Sequence, residues 1–218
     1  MQRRLRPEWM DAPEVAEADY QQAMADLAWA NARFGNTRAL LKELTAGLQA
    51  KGGQQVLELG CGGGEFLTRL ADWGRANQVN LQLVGLDSHP LALKRAQAVT
   101  QTYPEICIQQ GNALDSGLPA QSMDWVVSAL MLHHLDDPGP LFAECQRLAR
   151  KGFVILDLER SRWAWLSLKI LGRFRGKLFA HDGPVSVGRA LSYREALAVA
   201  PPGVRVKRLW PFRLLWVG

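Results

Sequence analysis

Four groups of residues have types and spacings that could do chemistry. The run Glu58-Leu59-Gly60-Cys61-Gly62-Gly63-Gly64 sets a carboxylate ahead of alternating glycines. Glycine lets a chain turn tightly and lets a ligand approach main-chain atoms without a Cβ in the way. Asp87 lies 23 residues after Gly64, at the end of the apolar run Leu83-Val84-Gly85-Leu86. Gly111-Asn112-Ala113 precedes a third apolar run, and His133-His134 follows it. An imidazole has an unperturbed pKa of about 6.5, so it can take a proton at neutral pH. A dinucleotide fingerprint Gly-x-Gly-x-x-Gly begun at Gly60 meets Glu65 where its third glycine belongs, and begun at Gly62 it meets Leu67. A phosphate-binding loop would need Gly-Lys-Ser/Thr, which is absent. Cys61, Cys107 and Cys145 show no metal-ligand spacing, and no metal is assigned.

These residues need elements to hold them. Residues 13–33 and 37–50 read as helices, the second capped by Asn36. Residues 54–59 form a short apolar strand ending in glycines, and Phe66, Leu67, Leu70 and Trp73 recur at helical spacing after it. A strand at 81–86 is followed by a helix at 91–101 with Ser88 as cap and Pro90 in its first turn. Strands follow at 106–109, 124–128 and 153–157, with a helix at 140–149 between the last two. Apolar strands alternating with helices indicate an α/β fold, a mostly parallel sheet covered by helices on both faces. Ser192-x-x-Glu195 is a capping-box pattern opening a helix to about residue 200. Strands at 204–210 and 212–217 then give an antiparallel finish. In such sheets ligands bind at the carboxyl ends of the strands, where the strand order switches.

Residues 50–160 resemble class I S-adenosylmethionine (SAM)-dependent methyltransferases. The likeness rests on Val56 to Gly64, on Leu83 to Asp87 with Ser88, on Gly111 to Asp115, and on Asp124 to Leu135, four motifs in order. They are similar to those of the ubiquinone/menaquinone-biosynthesis type and of polyketide-pathway enzymes. The resemblance implies a Rossmann-like fold, SAM as cofactor and transfer of its methyl group to a small molecule. It implies that Glu58, Gly60, Cys61, Gly62 and Gly64 meet the methionine part, with Ser128 and Ala129 beside it. Asp87 would accept from both ribose hydroxyls, with Ser88 next to it. Asn112 would accept from the adenine amino group, and Ala113 would offer its N–H to the ring. His133 and His134 would stand beside the methyl donor as candidate bases for a phenolic or enolic acceptor. Met131 and Leu132 read as pocket wall or, more commonly for apolar residues at such a position, as core.

The residues also narrow the acceptor. Ser128-Ala129-Leu130-Met131 stands where related adenine and amide N-methyltransferases carry Asn/Asp-Pro-Pro-Tyr/Phe. Cys145 lies inside a helical pattern and Cys61 in the glycine turn, so neither suits attack on cytosine. Residues 1–50 read as an N-terminal helical cap and 51–218 as the methyltransferase domain, with a substrate-cap insertion at about 161–190. Within it Trp163, Leu166, Ile170, Phe174 and Leu178 share one helical face beside Lys169 and Arg173. That segment reads as a lid, as a peripheral membrane contact or as an ordinary packed helix. Residues 181–189 read as an irregular polar loop.

The 218 residues carry a net charge of +5. From Arg160 onward, however, twelve Lys and Arg stand against two acids, Asp182 and Glu195. Nucleic acid is therefore retained as a partner class, with RNA methylation as one alternative activity and SAM binding without catalysis as another. No apolar run is long enough to span a membrane, no signal-peptide core follows the basic start, and the odd cysteine count argues against a disulfide framework. A cytoplasmic location is expected.

Overall fold

The computed structural model describes residues 1–12, 14–48 and 53–218. It gathers the apolar runs into one sheet. Its strands are β1 (Gln54–Leu59), β2 (Leu81–Asp87), β3 (Ile106–Gln110), β4 (Met123–Ala129), β5 (Ala149–Leu158), β6 (Arg205–Leu209) and β7 (Arg213–Val217). They lie in the order β3-β2-β1-β4-β5-β7-β6. β1 through β5 pair in parallel, and β7 runs antiparallel between β5 and β6. The order therefore reverses between β1 and β4. Register places Glu58 opposite both Gly85 and Val127, so the ends of β1, β2 and β4 share one edge.

The helices are α1 (Glu17–Arg33), α2 (Asn36–Thr45), α3 (Glu65–Ala76), α4 (Pro90–Thr100), α5 (Gly139–Leu148), α6 (Arg162–Gly172), α7 (Lys177–Arg189) and α8 (Tyr193–Val199). On one face of the sheet, Leu40 and Leu44 of α2 join Phe66, Leu67 and Leu70 of α3 against Val56, Leu83 and Val127. On the other, Leu141, Phe142 and Cys145 of α5 and Ala196 of α8 pack on Leu57, Val126, Ile155 and Trp216. Trp216 is fully buried and donates its indole N–H to the Ala196 carbonyl at 3.2 Å. The Ser192–Glu195 capping box is formed as its residues require.

Several local expectations are corrected. α2 is capped by Gly35 in the left-handed region, while Asn36 turns its side chain to Asn31. The cap of α4 is His89, whose ring accepts from the Leu91 N–H at 3.3 Å, and not Ser88. The first helix starts at Glu17 and the second ends at Thr45. Residue 13 and the 50/51 boundary lie outside the described residues. Residues 161–180 form two helices, broken after Gly172 where α6 and α7 cross so closely that a Cβ would lie 2.7 Å from the Ala180 Cα.

Residues 181–189 are not a loop but the second half of α7, despite Gly183 and Pro184. Asp182, Ser186 and Arg189 recur at helical spacing along one face, and each is bonded to the N-terminal segment. The Asp182 carboxylate accepts from the Trp9 and Met10 N–H groups at 2.9 and 3.0 Å. Ser186 donates to Glu8 at 2.8 Å, and Arg189 donates to the Arg6 carbonyl at 2.7 Å. Tertiary bonding outweighs the weak local propensity of a Gly-Pro pair.

Candidate functional site

At the reversal between β1 and β4 lies a cavity of about 880 Å³. The glycine turn forms its floor. Gly60 sits at φ +71°, and a Cβ there would lie 2.9 Å from the Met131 sulfur. Gly64, at φ +77°, caps α3 against Ala96 and Thr100 of α4. Asp87, at the tip of β2, accepts from the Gly62 N–H at 2.8 Å and the His89 N–H at 2.9 Å. One acid thus pins the glycine turn to the start of α4, and its remaining lone pairs stay available to a ligand.

Of the residues expected to hold a cofactor, Glu58, Gly60, Cys61, Gly62, Asp87, Ser88, Asn112, Ala113 and Ala129 line the cavity. Gly64 and Ser128 do not. Ser128 is fully buried and donates to the Leu59 carbonyl at 3.0 Å, so it braces β1 against β4. Asn112 uses its side-chain oxygen to accept from the Leu114 N–H at 2.9 Å, shaping its own turn. Cys61 and Cys145 are buried and burial raises both thiols, which keeps them protonated and poor nucleophiles.

Glu58 is 2% exposed, and its Oε2 has no hydrogen-bond partner among the described residues. Burial, then the nearby Glu65 and Asp87 carboxylates, push its carboxyl well above the ordinary range. A buried, unpartnered carboxyl is costly unless a cation or donor meets it. These features fit SAM: its ammonium answers Glu58, its ribose hydroxyls answer Asp87, and Gly60 leaves the backbone open to close approach.

Both histidines line the same cavity, where the sequence placed them, but their partners come from distant parts of the chain. His133 is 4% exposed and its Nδ1 stands 2.7 Å from Asp157 Oδ1, while its backbone N–H donates to Asp157 Oδ2 at 2.9 Å. Its Nε2 lies 3.7 Å from Glu8 Oε1. His134 Nδ1 is 3.0 Å from Asp11 Oδ2 and its Nε2 is 3.9 Å from Glu8 Oε2. Burial disfavours the charged His134 ring, but the Asp11 hydrogen bond and the Glu8, Asp11 and Asp157 carboxylates outweigh it, pushing the pKa up to about 9. Burial likewise opposes ionisation of Asp11, yet the His134 hydrogen bond holds its carboxyl low. Arg189 is buried beneath this cluster and donates to the His133 and His134 carbonyls at 2.9 and 2.6 Å.

Sequence reasoning missed Glu8, Asp11, Asp157 and the role of Arg189. Asp157 carried a readable signal, an acid ending an apolar strand as Asp87 does. Glu8 and Asp11 carried none, because they reach the site only when the N-terminal segment docks on α7. The roof comes from α1, α6 and α7, with Tyr20, Met24, Leu168, Leu178 and Phe179 facing the cavity. Asp26 of α1 accepts from the Gly176 N–H at 2.9 Å, and Tyr20 stacks on His89 at 4.6 Å between ring centroids.

Comparison with known proteins agrees with the methyltransferase reading. The profile of a family described as "Methyltransferase domain" matches residues 57–156, which span the glycine turn, Asp87, Asn112 and both histidines. A Mycolicibacterium smegmatis protein named "Probable S-adenosylmethionine-dependent methyltransferase" is 35% identical over 104 residues, 48% of this chain and 37% of that protein. The demethylmenaquinone methyltransferase of Lactiplantibacillus plantarum is 28% identical over 161 residues, 68% of this chain and 66% of that one. The chain thus spans less than two thirds of either curated relative. The crystal structure of a SAM-dependent methyltransferase from Aquifex aeolicus superposes with a TM-score of 0.59 at 18% identity, covering 83% of this chain and 87% of that one, which is a likeness of fold. Over residues 57–156 the chain thus matches the methyltransferase-domain family, and its motifs and fold are similar to those of class I SAM-dependent methyltransferases, with SAM as the cofactor.

Proposed function

We propose that the chain methylates a small, largely apolar acceptor bearing an acidic hydroxyl or carbon, of aromatic, polyketide or quinone-like chemistry, with His133 as the base. The observation that carries this reading is a cavity lined both by the residues expected to hold the cofactor and by His133, whose ring is held from behind by the buried Asp157, under an apolar roof. When bound, SAM supplies an electrophilic sulfonium methyl. The chain supplies alignment, exclusion of water and a place for the acceptor's proton.

Asp157 clamps both the backbone and Nδ1 of His133, which favours the tautomer with a lone pair on Nε2. A proton taken there creates a charge lying between the Asp157 and Glu8 carboxylates. His134, cationic at neutral pH, has no lone pair to offer; its part is to hold Asp11 and Glu8 in place and to favour an anionic acceptor. The roof residues Leu168, Leu178 and Phe179 suit an apolar acceptor, and the demethylmenaquinone methyltransferase relative carries a name of that acceptor class.

The test incubates the full chain with isotope-labelled SAM and a panel of phenols, polyketide lactones, demethylated quinols and bulk RNA, read by mass spectrometry. A methylated phenol, lactone or quinol is the expected product; label appearing only in RNA, or in nothing, would overturn the reading. With the acceptor found, His133→Gln and Asp157→Asn should each lower kcat about 10²- to 10⁴-fold, with SAM affinity within about twofold of the parent. Unchanged kcat across pH would remove His133 from the mechanism.

A further inference from the structure

The cap helix α6 carries an unpartnered apolar stripe on the face turned away from the cavity. Trp163, Leu166 and Ile170 follow at spacings of three and four along α6, and Phe174 continues the row in the turn just past its end. They are 70%, 41%, 51% and 78% exposed. This is not a core face turned outward by accident, because α6 already has a core face. Ala164, Trp165 and Leu168 pack with Leu158, Val187, Ala190 and Phe212, while Gly172 meets α7. Phe212 belongs to the turn between β6 and β7, and that turn also carries Trp210, 91% exposed.

Alongside the stripe runs a second row, Arg162, Lys169 and Arg173, all exposed. Four large apolar side chains are bordered by three cations, with two tryptophans, Trp163 and Trp210, among the exposed residues. We infer that this face of α6, with the Trp210 turn beside it, docks the protein on an anionic lipid bilayer. Interfacial helices bury an apolar face at the level of the headgroups while basic side chains meet lipid phosphates. Tryptophan is enriched at that depth because its ring is apolar and its N–H is polar. Charge decides between occupants. A second copy of this chain meeting the stripe would bring two basic rows together, in the stretch from Arg160 onward that carries twelve cations against two acids. A bilayer rich in phosphatidylglycerol offers the opposite sign. Among the described residues no helix is long and apolar enough to cross a membrane, so the contact is peripheral.

The test uses the full chain and vesicles, and it needs no turnover, so it stands or falls apart from the choice of acceptor. Sedimentation with vesicles of mixed phosphatidylglycerol and phosphatidylcholine should carry the protein down, and pure phosphatidylcholine should carry far less. The triple variant Trp163→Ser, Ile170→Ser, Phe174→Ser should lose at least about tenfold in partitioning, since each chain buries little else. Arg162→Gln and Arg173→Gln should each lose about fivefold on the anionic vesicles only, and added salt should do the same. Brominated lipids should quench Trp fluorescence less in Trp163→Phe than in the parent. Equal melting temperatures for parent and variants establish that the fold is intact. Failure to bind anionic vesicles would overturn the inference, as would binding that ignores the triple variant. A dimer in sedimentation velocity that the triple variant dissolves, with no vesicle binding, would assign the face to a second copy instead.

Discussion

Glu58, near the end of β1, lines the cavity. Burial and two neighbouring acids push its carboxyl well above the ordinary range, and its Oε2 has no hydrogen-bond partner among the described residues. A ligand ammonium reverses that balance, so SAM binding near neutral pH should release a proton. Calorimetry in two buffers of different ionisation enthalpy should detect that release in the parent and none in Glu58→Gln. The variant should also bind SAM at least about tenfold more weakly, as expected for loss of a charged hydrogen bond; equal affinity would dissociate Glu58 from the cofactor. His134 has the opposite linkage. Its folded pKa is raised, so its contribution to stability is complete below about 6.5 and is lost as pH rises through about 9. Thermal unfolding from pH 6 to 10 should show the parent losing stability over that window. Asp11→Asn should flatten the fall, because the leading favourable partner of the cation is gone; an unaltered slope would place the titrating group elsewhere.

At the level of elements, the helical hairpin α6–α7 has two faces with separate tasks. Leu178 and Phe179 roof the cavity, and Trp163, Ile170 and Phe174 face outward. The hairpin depends on the close crossing at Gly172, where the neighbouring atom is backbone and cannot rotate away. Gly172→Val should therefore push α6 off α7 and cost about 1–3 kcal/mol, as overpacking does. SAM affinity should stay near the parent value, since the glycine turn and Asp87 belong to other elements, while KM for the acceptor rises. An acceptor KM equal to the parent's would show that the roof plays no part in acceptor binding.

Across the whole molecule, the site closes because the N-terminal segment docks on α7 and on the turn after β4. Asp182 holds the Trp9 and Met10 N–H groups, Arg189 holds the Arg6 carbonyl and both histidine carbonyls, and Arg3 donates to the carbonyls of Leu135, Asp136 and Arg189. This strap positions Glu8 and Asp11 against the histidines. Asp182→Ala leaves two N–H groups short of a partner and should cost about 1–3 kcal/mol. Hydrogen exchange should then rise at residues 8–11 while β1, β4 and β5 remain protected. Protection unchanged at the strap would show that other contacts hold it.

The sequence by itself determined the α/β class, the parallel sheet with its antiparallel end, and the cofactor turn. Those features are local: a hydrophobic run, a glycine at a fixed offset and an acid at a strand tip are each written within a dozen residues. It placed His133 and His134 at the site for the same reason. Only the tertiary structure decided that one histidine is clamped by Asp157 and that the other is held cationic by Asp11 and Glu8. Those pairings link positions more than a hundred residues apart in one case and 24 in the other. It alone decided that residues 181–189 are helical, because the bonds that stabilise them run to the N-terminal strap. It decided too that the tryptophan stripe of α6 faces outward, since periodicity marks a shared face and packing chooses which face is covered.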